Sequence, residues 1–164
     1  MRDISRSVDV NMGTVNRWVE KKEVPSQYDF DLCRLDGTSV DYSKFTEKEK
    51  DQFYTSKKSA EYCFNKSREV LSGLGIDLRE YNYIEPSAGD GNFYKLLTEK
   101  RRIGIDIEPK CDGVIQSDFL LWKPETSNNI CIGNPPFGLR GHLALKFVNH
   151  AAEFSDYVCF ILPQ

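Results

Sequence analysis

Tyr81-Asn82-Tyr83-Ile84, followed by Glu85-Pro86-Ser87-Ala88-Gly89-Asp90-Gly91-Asn92-Phe93, reads as a short buried strand that enters a glycine-bearing loop and then a helix over Phe93–Lys100. Gly89 and Gly91 let the backbone pass close to a ligand, and the expected helix start would favour negative charge beside it. The loop is not the Gly-x-Gly-x-x-Gly of a dinucleotide site, and it lacks the Lys-Ser/Thr of a phosphate loop. It carries acids instead. Glu85 and Asp90 would repel a pyrophosphate but can accept from an ammonium group, which suits the amino-acid part of S-adenosylmethionine.

Downstream, short apolar runs alternate with crossovers. Arg102–Ile105, Gly113–Ile115, Asn129–Ile132 and Tyr157–Leu162 read as strands, and His142–Phe154 as a helix. This pattern predicts an α/β fold with a Rossmann-like parallel sheet, whose ligands lie at the carboxyl ends of the strands. The distinctive residues fall at such ends. In Gly104-Ile105-Asp106-Ile107-Glu108, Asp106 can take both hydroxyls of a ribose, while Asp118 can accept from an adenine amino group beside the apolar wall of Phe119. Each acid alone could be a turn former or a helix cap. Three in register on successive strand ends favour a ligand site.

Asn134-Pro135-Pro136-Phe137 follows the strand-like Ile130-Cys131-Ile132. An exocyclic amine on a base is a poor nucleophile because its lone pair is delocalised into the ring. The Asn134 side-chain oxygen and the Pro135 carbonyl can accept its two N–H bonds, the prolines fix the turn, and Phe137 offers a stacking face. Asn-Pro and Pro-Pro are also ordinary turn formers. Paired with the acidic glycine loop, the tetrapeptide points to methyl transfer onto a planar amine nitrogen.

Upstream, residues 1–27 suggest a small helical module. Ile4–Val10 and a helix capped by Thr14, with apolar Val15, Trp18 and Val19 and an end at Pro25, resemble the helix-turn-helix of small bacterial and phage regulators. Thr14, Asn16, Arg17, Lys21 and Lys22 would then face a DNA groove or its phosphates. The plainer alternative is a helical hairpin anchored by Trp18. Residues 28–50 read as an irregular linker with a short helix near Asp29–Arg34. A helix is expected over Asp51–Ser72, stopped by Gly73 and Gly75.

A chain of 164 residues can hold one good core behind a small module. Its apolar runs fall far short of the roughly 18 residues that span a membrane. Met1–Arg6 lacks the apolar region of a secretory signal, so a reducing, cytoplasmic setting is expected. Five scattered cysteines without a Cys-x-x-Cys pair predict neither a disulfide framework nor a metal site, and His142 and His150 read as surface or helix-end residues. A net charge of -3 does not advertise a nucleic-acid surface, though charge can be segregated between faces.

Residues 51–164 resemble the gamma class of S-adenosylmethionine-dependent adenine-N6 DNA methyltransferases, in which the cofactor motifs precede the catalytic one. The resemblance implies that Phe53, Tyr54 and Thr55 close over the methionine end of the cofactor. It further implies that Glu85, Pro86, Ser87, Ala88, Gly89, Asp90 and Gly91 form the main cofactor loop, that Ile107 joins Asp106, and that Asp118 to Trp122 border the adenine. The target adenine would flip from the duplex onto Asn134, Pro135 and Phe137. Similar tetrapeptides serve enzymes acting on adenine in RNA or on glutamine in proteins, and a regulator with a cofactor-sensing or inactive domain is a further alternative. In the family the sheet continues beyond Ile161-Leu162-Pro163-Gln164. The chain is therefore expected to belong to a longer enzyme or to need a partner that completes the sheet, since an open edge strand invites association.

Overall fold

Two short helices, α1 (Arg2–Ser7) and α2 (Met12–Lys21), open the computed structural model, which describes residues 2–8, 10–25, 28–36, 54–138 and 141–162. Asn11, not Thr14, caps α2: its Oδ1 accepts from the Thr14 amide at 2.9 Å, so Thr14 lies inside the first turn. The helix ends at Lys21, short of Pro25, because Lys22 takes a left-handed conformation (φ 53°) and the chain bonds back to the Trp18 and Val19 carbonyls. Val8, Val15 and Trp18 form a core joined by Ile4, Val10 and Val24. Val19, expected on the apolar face, is 61% exposed.

The next helix, α3 (Asp29–Asp36), brings Tyr28 and Leu32 onto that core, with the Trp18 and Tyr28 rings 4.7 Å apart. This first unit therefore extends past the boundary expected at residue 27. The chain divides into two compact units, Met1–Glu49 and Lys50–Gln164.

In the second unit α4 runs Lys57–Gly73, six residues later than the expected start at Asp51, because the Ser56 hydroxyl accepts from the Ser59 amide and starts the helix there. Residues 51–53 lie outside the described residues. Strands β1 (Asn82–Glu85), β2 (Arg102–Asp106), β3 (Val114–Gln116), β4 (Asn129–Gly133) and β5 (Tyr157–Phe160) form one sheet in the order β3-β2-β1-β4-β5. Every pairing is parallel.

Period-two alternation assigns the two faces. Tyr83, Ile130 and Ile132 point to one side with Ala60 and Leu71 of α4; Ile84, Ile105 and Cys131 point to the other with Phe147 and Ala151 of α5 (His142–Ala151). Helices therefore cover both faces, which explains why β4 is buried along its whole length. Each large apolar side chain so buried stabilises the fold by roughly 1.5–3 kcal/mol. α5 stops three residues before the expected Phe154, and β5 stops short of Leu162.

The helix expected over Phe93–Lys100 is absent. In its place stand two 3-10 turns, Tyr94–Leu96 and Glu99–Arg101. Phe93 and Leu97 bury into the α4 side of the sheet, whereas Tyr94 turns to its own site, donating its hydroxyl to the Gly113 carbonyl at 3.0 Å with the Arg102 guanidinium 4.3 Å over its ring. Neighbouring aromatics buried in different places do not share one helical stripe. The helix-start contribution to the loop's electrostatics goes with the helix.

Candidate active site

Four strand ends converge on one cleft. Glu85 ends β1, Asp106 ends β2, Asp118 follows β3, and Asn134 follows β4. Chain order along the sheet reverses between β1 and β4, the switch point at which open parallel sheets bind ligands. The cleft measures about 850 Å³ including solvent at its mouth, which is room for a nucleoside-sized ligand. Tyr54, Thr55, Glu85, Pro86, Ser87, Ala88, Gly89, Asp90, Asp106, Ile107, Asp118, Phe119, Asn134, Pro135, Pro136 and Phe137 all line it. Gly91 lies behind the lining, where an added Cβ would stand 2.6 Å from Cys111 Sγ. Phe53 lies outside the described residues.

Glu85 is the most unusual group in this cleft. It is 2% exposed, and its Oε2 is buried without a hydrogen bond. Burial first, then the Asp106 and Asp90 carboxylates, push its carboxyl well above the ordinary value, with a Tyr94 backbone hydrogen bond pulling the other way. A ligand cation would supply the partner that this oxygen lacks.

Asp106 does more than the sequence suggests. Its Oδ2 accepts from the Gly89 amide and its Oδ1 from the Glu108 amide, both at 2.8 Å, so the carboxylate ties the β1 loop to the end of β2. Each oxygen keeps lone pairs for a ligand hydroxyl. Asp118 likewise caps the 3-10 turn Phe119–Leu121 through the Leu120 amide at 2.9 Å while lining the cleft. Phe119 is mostly a core residue, buried and stacked on Phe147 at 5.1 Å, while it also lines the cleft. His150, expected at the surface or a helix end, does stand in the last turn of α5, but its ring packs against those of Phe119 and Phe154, with Nε2 2.8 Å from the Trp122 carbonyl.

The Asn134–Phe137 turn is fastened at both ends. Ser87 Oγ donates to the Asn134 carbonyl at 3.0 Å, and the Phe137 carbonyl accepts from the Leu143 and Ala144 amides in the first turn of α5. That return needs Gly138, which has φ 68° and would set a Cβ 2.6 Å from Leu143 Cβ.

Asn92, Phe93, Ser117 and Phe147 also line the cleft. Asn92 follows Gly-Asp-Gly, a turn signature that marks a side chain free to bond nearby backbone. Phe147 is one more apolar position of α5, and no sequence signal separates it from the rest of the core. Among the described residues, no group of three or more His, Cys, Asp or Glu side chains could hold a metal ion, and no helix is long and apolar enough to cross a membrane.

In the first unit, Asn16, Arg17, Lys21 and Lys22 are exposed. Thr14 is half-buried, its hydroxyl 3.3 Å from Asn11 Oδ1, so it serves the cap.

The chain is 34% identical over 92 residues to a Type II methyltransferase of Thermus thermophilus, a match covering 49% of this chain and 21% of that protein. A Type II methyltransferase of Paramecium bursaria Chlorella virus XZ-6E is 33% identical over 84 residues, covering 43% of this chain and 22% of that one. The matched region is about a fifth of either relative's length. No family model and no solved structure matches the chain.

Proposed function

We propose that this chain carries the cofactor and catalytic elements of an S-adenosylmethionine-dependent DNA methyltransferase that modifies the N6 amino group of adenine. The observation that carries the reading is the buried, unpartnered Glu85 Oε2 in the same cleft as the Asn134–Phe137 turn. An orphaned carboxyl oxygen fits a ligand with an ammonium group. The two relatives named Type II methyltransferases support the same chemistry and bring DNA into consideration as the substrate.

Glu85 would hold the amino group, Asp106 the ribose hydroxyls, and Asp118, Ile107 and Phe119 the adenine of the cofactor. When bound, S-adenosylmethionine supplies an electrophilic methyl on a sulfonium. Asn134 Oδ1 and the Pro135 carbonyl would accept the two N–H bonds of the target amine, and Phe137 would stack on the base and hold it out of the duplex. Positioning then does most of the work, so no general base is required to start the reaction. Arg17, Lys21 and Lys22, with Asn16, would add phosphate and groove contacts in a helix-turn-helix manner.

Labelled S-adenosylmethionine incubated with the protein and duplex DNA, followed by nucleoside analysis, tests the reading. N6-methyladenine is expected. Asn134→Ala should abolish transfer yet leave cofactor affinity within about threefold, because its oxygen meets the target rather than the cofactor. Full activity of Asn134→Ala, or label found only in RNA or protein, overturns the assignment.

A further inference from the structure

Tyr54 and Thr55 line the cleft beside Gly89, and a side-chain hydrogen bond holds each. The Tyr54 ring lies so close over Gly89 that a Cβ there would stand 3.2 Å from its Cδ1 and Cε1. Its hydroxyl accepts from Lys110 Nζ at 2.5 Å, and the Lys110 amide donates to the Gly89 carbonyl at 3.2 Å. Tyr54, Lys110 and Gly89 therefore close a ring of contacts around the loop. Lys110 Nζ also lies 5.0 Å from the ring centroid, a distance that follows from the hydroxyl contact and needs no separate attraction to the ring face. The second hold is independent. Asn92 Nδ2 donates to the Thr55 carbonyl and to Asp90 Oδ2, both at 2.9 Å.

We propose that Lys110 and Asn92 are positioning residues that pin Tyr54 and Thr55 across the glycine loop and so set how long the cleft retains its ligand. Neither belongs to the acidic set that would recognise the cofactor, and Tyr54 is 39% exposed, too open for burial alone to fix its ring. A ligand lying along Gly89 and Asp90 leaves beneath Tyr54, and its departure breaks these two holds. The ligand's identity as S-adenosylmethionine rests on the function proposed above; the pinning does not.

Two measurements on the full chain test this. Stopped-flow displacement of S-adenosylmethionine should show dissociation about fivefold faster in Lys110→Met and in Asn92→Ala, with association not slowed and melting temperature unchanged. Lys110→Arg, which restores a cationic donor, should return dissociation towards wild type. A damaged site would slow association as well. In the ligand-free protein, the Gly89 Hα that stands where a Cβ would be should carry a ring-current shift from Tyr54. That shift should disappear in Lys110→Met and persist in Lys110→Arg. Unchanged dissociation in both variants, or a Gly89 resonance unmoved in Lys110→Met, overturns the proposal. If the wild-type protein binds no S-adenosylmethionine, the ligand reading fails and the Gly89 resonance alone decides the pinning.

Discussion

Ser87 Oγ donates to the Asn134 carbonyl at 3.0 Å, joining the loop after β1 to the turn after β4 across 47 residues of sequence. Under the proposed function this one bond links the element that would hold the cofactor to the element that would hold the target. A half-buried hydroxyl-to-carbonyl bond is worth about 0.5–1.5 kcal/mol. That is small for stability, but enough to shift a turn whose task is placement.

Ser87→Ala should therefore lower methyl transfer by about two- to tenfold while changing S-adenosylmethionine affinity less. Single-turnover kinetics beside calorimetric titration separate the two. Equal losses in rate and affinity would mean that Ser87 serves the cofactor loop alone.

Asp106→Ala should destabilise the fold as well as the complex. Its carboxylate accepts from the Gly89 and Glu108 amides, and the side chain is buried, so removal leaves two donors without acceptors and costs about 2 kcal/mol. Urea denaturation measures that loss. Undiminished stability would show that water replaces the carboxylate fully.

Glu85 should make the ligand-free protein less stable as pH rises. Burial lifts its folded-state value well above the unfolded one, so the folded state binds the extra proton. The stabilisation is complete below the unfolded value and is lost as pH climbs through the folded one. Glu85→Gln, neutral at every pH, should match wild type near pH 4 and exceed it near pH 8 in thermal melts. Parallel curves across that range would show that Glu85 ionises without penalty.

Arg17 and Lys21 should each contribute to salt-dependent affinity for duplex DNA. They are exposed and four residues apart on α2, hence on one side of it. Replacing either by Ala should reduce the log–log salt slope by about 0.9 if each neutralises one phosphate. Fluorescence anisotropy over a salt series provides the slope, and an unchanged slope in the double variant would favour a packing role for this unit.

Local chemistry sufficed for much of this protein. Alternating short apolar runs specify the parallel sheet, because strands buried on both faces need continuous apolar stretches. The acids and the Asn-Pro-Pro-Phe turn were legible because strand ends of such a sheet share one edge. The tertiary structure alone decided the rest. Phe93 and Tyr94 look like a helix start, yet they are buried in different places, and that competition leaves only 3-10 turns. Thr14 looks like a cap until Asn11, three residues earlier, accepts from the amide of Thr14 itself and places it inside the first turn. The double backbone role of Asp106, the Ser87–Asn134 bond and the Lys110–Tyr54 hold join residues 17, 47 and 56 positions apart, or two for the nearer Asp106 contact. Most of these are contacts between separate loops, so no local sequence pattern encodes them; they exist only once the sheet has set its strand ends side by side.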